Sequence, residues 1–335
     1  MTSILTNIAA MSALQTLRSI GSSMEDTQAR VSSGQRVGEA SDNAAYWSIA
    51  TTMKSDNMAL SAVSDALGLG ASKIDTAYAG MESAIDVVKE IKAKLVTATE
   101  EGVDKAKVQE EITQLQGQLK SIADSASFSG ENWIAGGTDT STTAAQVTVV
   151  SGFVRDAANN VAVKTTSYTL DAETAGSMTL LFGGDATGAV DTTSGILGTN
   201  AADFTTTDFD PTAAGTDAAA TAVGGMSVYT LDINGLPIRA PSQQMADALT
   251  LVDAALAFMT SAGADLGSIS MRIDLQEDFV NKLSDSLDSG VGRLVDADMN
   301  EESTRLKALQ TQQQLAVQSL SIANSSSEVI LSLFR

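Results

Sequence analysis

The sequence of 335 residues predicts a mainly α-helical protein: a long antiparallel coiled-coil rod formed by both chain halves, with terminal helices and a small β-rich central insertion domain. Two long heptad seams are the main evidence, since apolar residues or Gly recur every three to four positions through 46–95 and through 245–294. Each seam corresponds to about 75 Å of helix. Because helices of equal length can cover one another from end to end, the two seams are predicted to pair.

A shorter seam at 108–126 predicts a third helix. It follows a break at 100–104, so we expect it to fold back on the first long helix as a hairpin partner. The helical rod domain is therefore predicted to comprise 41–135 plus 243–292.

The centre of the chain, 136–242, differs from the rod in composition and in period. Thr is frequent there, and apolar and polar residues alternate as they do in half-buried strands. The segments that we expect to form strands are 146–150, 161–170, 177–182 and 229–233. This pattern predicts a small β-rich domain over 136–242.

The two chain ends, 1–40 plus 293–335, are predicted to form a terminal helical domain. Gly-bearing segments at 32–38 and 289–292 are interpreted as breaks that separate these ends from the rod. Apolar side chains recur near the start, and the last helix is apolar around most of its circumference. An intramolecular coiled coil would explain this pattern. The sharper interpretation is assembly, in which the ends become ordered only between copies of the protein.

Composition excludes several classes of function. The chain has no Cys and no His, which excludes thiol nucleophiles, Ser-His-Asp hydrolases and H-E-x-x-H metalloproteases. Carboxylate pairs such as Glu301-Glu302 are interpreted as solvated helix faces. We therefore predict no enzyme activity and no catalytic, cofactor-binding or metal site. The net charge of −21 argues against binding to nucleic acid, and no apolar stretch long enough for membrane insertion is expected.

Several blocks of sequence resemble bacterial flagellin, of the rhizobial or alphaproteobacterial kind. The N-terminal blocks are 30–37 and 40–45, and the C-terminal match runs from 293–298 through 313–314 to 330–335. The resemblance covers about 1–135 and 243–335. Tyr46-Trp47 departs from the small-then-aliphatic pair expected after Ala44-Ala45. No Glu follows Lys92, where many flagellins have an Arg-Glu pair that an innate immune receptor reads.

The resemblance implies a structural subunit that polymerises into the extracellular flagellar filament for swimming motility. Terminal helices would form an inner tube, the rod an outer tube, and 136–242 the variable β-rich outer domain that projects outwards. Implied partners are other flagellin copies, including related flagellins, together with the flagellar export apparatus, an export chaperone, and the filament cap and junction proteins. The alternatives are a hook–filament junction protein, or a secreted adhesin or enzyme that uses flagellin-like termini for export.

Pattern and resemblance together indicate which residues make contacts between copies. They are Ile4, Ile8, Met11, Leu14, Leu17, Arg30, Arg36, Asp42, Asn43, Arg293, Leu306, Leu309, Val317, Leu320, Ile330, Leu331 and Phe334.

Overall fold

The computed structural model describes residues 7–100, 102–136, 145–155, 161–172, 178–184, 189–199, 226–236 and 241–333. Within these residues the helices are α1 (Ile8–Ser33), α2 (Ala44–Thr97), α3 (Lys105–Ser125), α4 (Pro241–Val295) and α5 (Met299–Leu333). The mainly helical fold class is confirmed, and both long seams lie within single helices.

Contacts divide the chain into two compact units. The first unit comprises Met1–Ala59 with Lys282–Arg335, and the second comprises Leu60–Asn281. The strands therefore cluster with the helices of the second unit, whereas the sequence predicts three domains. The predicted boundaries near 40, 135, 242 and 292 stay a prediction.

The core of the second unit is built from the heptad positions of α2, α3 and α4. Lys92 of α2 contacts Asp253 of α4 at 2.5 Å, and Lys94 of α2 contacts Glu111 of α3 at 2.6 Å. Beneath these ion pairs the seam side chains are fully buried. They include Leu67, Ile74, Met81, Ile91, Leu95, Ile112, Leu119, Val252, Met259 and Leu266. Burial of this continuous apolar seam accounts for the stability of the three-helix arrangement.

The seam is less completely buried in the first unit. Tyr46 and Ile49 are 42% and 51% exposed, although both were expected to lie in the seam. Ala50 is buried instead, in a cluster with Val291 and Val295 of α4. At this end α2 therefore packs the small Ala50 side chain against α4 and leaves the larger Tyr46 and Ile49 side chains exposed.

The two predicted breaks have different outcomes. Gly34 ends α1 in a left-handed conformation with φ of 72°, so the break at 32–38 is confirmed. The break predicted at 289–292 is wrong, because α4 continues through it to Val295. A side-chain carbon at Gly290 would lie 3.0 Å from the Met53 side chain, so this glycine allows α2 and α4 to pack closely.

The main sheet is a hairpin of β3 (Ala145–Arg155) and β4 (Val161–Leu170), which pair antiparallel with Gln146 opposite Thr169. The strands predicted at 146–150 and 161–170 are confirmed. Gly70 of α2 allows this hairpin to approach, because any side chain there would collide with Val149. Two-residue strands also pair as β1 (Ser127–Phe128) with β2 (Glu131–Asn132), and as β5 (Gly183–Gly184) with β6 (Val190–Asp191).

The strand predictions at 229–233 and 177–182 are wrong. Residues 228–234 form turns and coil, and the buried Gln116 side chain donates to the carbonyl oxygens of Val228 and Leu231 at 3.0 Å each. Residues 178–181 are irregular, and Phe182 makes only an isolated bridge with Ala135. Bonds from distant segments therefore satisfy backbone groups that a sheet would otherwise pair.

One expectation about apolar stretches also needs correction. α4 is long and apolar enough to cross a membrane by length and composition. Some of its apolar side chains, including Leu251, Val252 and Met259, are buried within the second unit, whereas Met271, Leu275 and Phe279 of the same helix are exposed.

Candidate assembly surface

α1 and α5 pack against each other in antiparallel directions. The Asn7 side chain caps α1 by accepting from the Ala10 N–H at 3.0 Å, and its Nδ2 donates to the Ala323 carbonyl at 3.0 Å. At the opposite end of α1, Arg30 contacts Glu302 near the start of α5. The two helices are therefore joined at both ends of α1.

The face that α1 turns towards α5 combines small or polar residues with larger apolar ones. Its half-buried or buried members are Ala10, Ala13, Leu17, Ile20, Met24, Thr27 and Val31. The corresponding face of α5 comprises Glu302, Leu306, Leu309, Gln313, Ala316, Leu320 and Ala323. Both sets repeat at alternating intervals of three and four residues, which is the spacing of one helix face.

Larger apolar side chains point away from this helix pair. We call the following six residues the terminal apolar surface: Ile8, Met11 and Leu14 of α1, which are 68%, 62% and 41% exposed, and Leu315, Val317 and Ile322 of α5, which are 58%, 53% and 69% exposed. Exposed apolar groups on two adjacent helices are typical of a surface that another protein covers.

The ion pair between Arg30 and Glu302 is partly shielded from water. Arg30 Nη1 lies 3.4 Å from Glu302 Oε1, and Glu302 is only 7% exposed. The second carboxylate oxygen, Oε2, is buried and has no hydrogen-bond partner among the described residues. The interpretation of Glu301-Glu302 as a solvated face is therefore wrong for Glu302, which lies one turn before Leu306 on the face that packs against α1.

The connection after α1 is tied to the end of α4. The backbone N–H groups of Arg36 and Val37 both donate to the Val295 carbonyl, at 2.6 and 3.2 Å, and Ala297 N–H donates to the Gly34 carbonyl at 2.9 Å. The Arg36 guanidinium adds a bond to the Leu294 carbonyl at 3.2 Å. These bonds hold the segment after α1 beside the end of α4 within the first unit.

Asp42 and Asn43 organise the turn that leads into α2. Asp42 Oδ2 accepts from the N–H groups of Gly38 and Glu39 at 2.9 and 3.1 Å. The bonds from Glu39 and Gly38 lower the pKa of Asp42 below its ordinary value, because they favour the ionised carboxylate. Asn43 Oδ1 accepts from the Tyr46 N–H at 3.1 Å and so caps α2.

The structure distributes the predicted contact residues among three environments. Ile8, Met11, Leu14, Val317 and Arg293 are exposed, whereas Leu17, Leu306, Leu309 and Leu320 are half-buried between α1 and α5. Arg30, Arg36, Asp42 and Asn43 bond within the chain. Ile4 and Phe334 lie outside the described residues, as do the side chains of Ile330 and Leu331. Their contacts with other copies stay a prediction.

Sequence reasoning missed Leu315 and Ile322 as surface residues, and it missed Glu302 as a buried one. The signal was present in the helix period: Leu315 and Ile322 share a heptad line with each other but not with Leu309 or Ala316. Among the described residues no cluster of three acidic side chains could hold a metal ion.

Both helical ends of the chain match known protein families. Residues 4–139 match the family model for the bacterial flagellin N-terminal helical region, and residues 249–334 match the model for the bacterial flagellin C-terminal helical region. The chain is 56% identical over 402 aligned positions to Flagellin B of Rhizobium meliloti, with all of both chains covered. It is 43% identical over 336 positions to Flagellin of Brucella melitensis biotype 1, again with all of both chains covered.

A crystal structure of Bacillus cereus flagellin matches 63% of this chain and 86% of that chain, at 14% identity and a TM-score of 0.34. That TM-score is too low to show a shared fold.

Proposed function

Since the chain belongs to the bacterial flagellin family, we infer that it is a structural subunit that polymerises with other flagellin copies into the extracellular flagellar filament. Relatives named flagellin that align over the full length favour this function over a hook–filament junction protein, a secreted adhesin or an enzyme. The observation that supports self-assembly most directly is the terminal apolar surface on α1 and α5.

We propose that the terminal apolar surface is buried between neighbouring copies in the filament. Full burial of a large aliphatic side chain contributes roughly 1.5–3 kcal/mol. The six residues are 41% to 69% exposed in the single chain, so assembly can still gain much of that contribution. The proposal extends the predicted contact set to Leu315 and Ile322, and it keeps Ile4, Ile330, Leu331 and Phe334 as candidates. It also retains the terminal domain of 1–40 plus 293–335 as the part that lies innermost.

Polymerisation of a triple variant tests the proposal. Leu315→Ser, Val317→Ser and Ile322→Ser should leave the helical circular dichroism of the monomer nearly unchanged, because all three side chains are exposed in the single chain. Seeded polymerisation, followed by sedimentation and electron microscopy, should yield no long filaments at concentrations at which the unmodified protein is fully polymerised.

A matched control changes exposed polar neighbours on the same helix, through Gln312→Ser, Gln314→Ser and Gln318→Ser. It carries a similar loss of helix propensity without loss of apolar surface, so its filaments should form as usual. Normal filaments from the triple variant of Leu315, Val317 and Ile322 would remove the terminal apolar surface from the assembly contacts.

We also propose that the protein leaves the cell through the flagellar export apparatus with an export chaperone, and that it contacts the filament cap and junction proteins. This proposal is supported by family membership alone. Comparing culture supernatants of cells with and without a working export apparatus tests the route. Equal amounts in both supernatants would contradict it.

A further inference from the structure

The dipeptide Asn234-Gly235 of the second unit has no part in the assembly surface. It is the only Asn-Gly pair in the sequence, and both residues are exposed to solvent. In such a pair the backbone nitrogen of the glycine can approach the carboxamide carbon of the asparagine and close a five-membered ring. Any other residue in the second place would obstruct this approach with its side chain, which glycine lacks. Asn234 therefore combines solvent access with the following residue that most favours cyclisation.

No hydrogen bond restrains the Asn234 carboxamide within the described residues, although its backbone is held in a turn. The Asn234 N–H donates to Asp232 Oδ1 at 2.9 Å, and the Gly235 N–H donates to the Asp232 carbonyl at 3.1 Å. The second bond engages the attacking nitrogen and must open before the ring can close. Because the turn is exposed and this bond is its one backbone closure, such an opening costs little free energy compared with unfolding of the whole unit.

Asparagines inside helices lack these conditions. Asn57 of α2 donates from its carboxamide to Asp288 at 2.6 Å, and it is followed by Met58. Asn281 lies inside α4 and is followed by Lys282, whose backbone N–H belongs to the hydrogen-bond ladder of that helix. Asn57 and Asn281 therefore serve as internal references for the reactivity of Asn234.

We propose that Asn234 is a site of spontaneous covalent modification, at which its amide is converted through a cyclic imide with Gly235 to aspartate and isoaspartate. The Gly235 nitrogen gives up its proton to the solvent and bonds to Asn234 Cγ. The Cγ–Nδ2 bond breaks, and Nδ2 takes a proton from water and leaves as ammonia. Water then adds to either carbonyl carbon of the imide, and the two ring openings give aspartate and isoaspartate. Water is the only co-reactant, and no electrons are transferred.

The conversion should loosen the chain where it packs on α3. Both products add a negative charge close to Asp232, and isoaspartate also lengthens the main chain by a methylene group. Ile233 and Leu236 flank the pair and are buried, and the Ile233 N–H donates to Gln109 Oε1 of α3 at 2.9 Å. A longer main chain cannot keep both of these side chains in place. We therefore expect faster hydrogen exchange at the Ile233 amide in the converted protein.

Peptide mapping of the full-length monomer tests the proposal. The protein is incubated at mildly alkaline pH in water enriched in heavy oxygen, and is then digested at acidic pH in ordinary water. The peptide that carries 234–235 should lose ammonia and gain labelled oxygen, and it should elute as separate aspartate and isoaspartate forms. Its conversion should be faster at higher pH, because the attacking nitrogen must lose a proton. Conversion at Asn234 no faster than at Asn57 and Asn281 would overturn the proposal.

Two variants separate the imide route from other hydrolysis. Gly235→Ala should slow the conversion severalfold while keeping the turn, since a side-chain carbon there would lie 3.4 Å from Asp232 Oδ2, which is an ordinary contact. Asn234→Gln keeps an amide but would need a six-membered ring, so its conversion should be lost. The matched control Gly68→Ala, at a helix position with open space around it, should leave the rate unchanged. Thermal melting checks that all three variants fold. Conversion of a folded Gly235→Ala or Asn234→Gln variant at the unmodified rate would contradict the proposal.

Discussion

The helix pair α1–α5 and the helix trio α2–α3–α4 are built from similar apolar repeats, yet they bury them to very different extents. In the second unit, Ile74 and Met81 are 0% exposed. In the first unit, Ile8 and Ile322 are 68% and 69% exposed. The difference lies in the number of neighbours rather than in hydrophobicity. A helix with apolar residues around much of its circumference needs partners on more than one side, and within the described residues α1 and α5 each cover one side of the other.

The side chains that the helix pair does bury sharpen this contrast. α1 and α5 contact each other through small residues such as Ala13 and Ala316 together with half-buried leucines such as Leu309, whereas Met11 and Leu315 remain outside. These exposed large side chains stay available for another surface. The trio α2–α3–α4 encloses many large side chains of its heptad seam completely.

The largest expected effect comes from removing one aliphatic side chain in each region. Ile74→Ala should lower the free energy of unfolding by about 2–5 kcal/mol, because it leaves a cavity in a closed core. Ile322→Ala should change it by less than about 0.5 kcal/mol in the monomer, since that side chain already meets water. Guanidinium unfolding followed by circular dichroism measures both values. Similar losses in the two variants would mean that the monomer buries Ile322.

A smaller loss of stability is expected when the partly shielded ion pair between α1 and α5 is broken. Arg30→Gln should destabilise the first unit by about 1–3 kcal/mol, because Glu302 would remain buried without its cation. The double variant with Glu302→Gln should recover most of the loss, since the buried charge is then gone. Hydrogen exchange of α1 and α5 amides reports this unit separately from the second. No recovery in the double variant would assign the loss to Arg30 packing instead of charge.

Substitution to Ala should change the free energy of unfolding in opposite directions at the glycine that ends α1 and at a glycine inside it. Gly34→Ala should cost about 1 kcal/mol, because its φ of 72° is strained for a residue with a side chain. Gly21→Ala lies in the helix interior with open space around it, and should stabilise α1 by roughly 0.5–1 kcal/mol. Thermal melting of the two variants, measured side by side, checks both signs. Stabilisation by Gly34→Ala would show that the left-handed end of α1 is absent in solution.

The smallest expected effect is the pH response of the turn before α2. Because the pKa of Asp42 is lowered in the folded chain, its stabilising contribution is present above the unfolded-state value of about 3.9 and is lost as pH falls through the folded pKa. An NMR titration of the Asp42 carboxyl carbon should therefore give a midpoint below about 3.9. In Asp42→Asn the acid-induced fraying of this turn should be weaker. A midpoint at or above the unfolded-state value would show that the two N–H bonds are not formed in solution.

Much of the helical architecture follows from the sequence by itself. Helix hydrogen bonds close within four residues, so the heptad period locates α2, α3 and α4 without knowledge of any partner. Gly34 predicts the end of α1 for an equally local reason, since it readily adopts a left-handed backbone. Alternation over 146–150 and 161–170 likewise predicts β3 and β4, whose pairing is local along the chain.

Only the tertiary structure decides which face of each apolar helix is covered. Several heptad lines of α5 are apolar enough to pack, and the position of α1 selects Leu309 and Ala316 while leaving Leu315 and Ile322 outside. The burial of Glu302 and the irregular path of 229–233 depend on Arg30 and Gln116, which are far away in the sequence. The hydrophobic period is set by residues that are close together in the sequence, whereas burial depends on contacts between segments that are far apart in it.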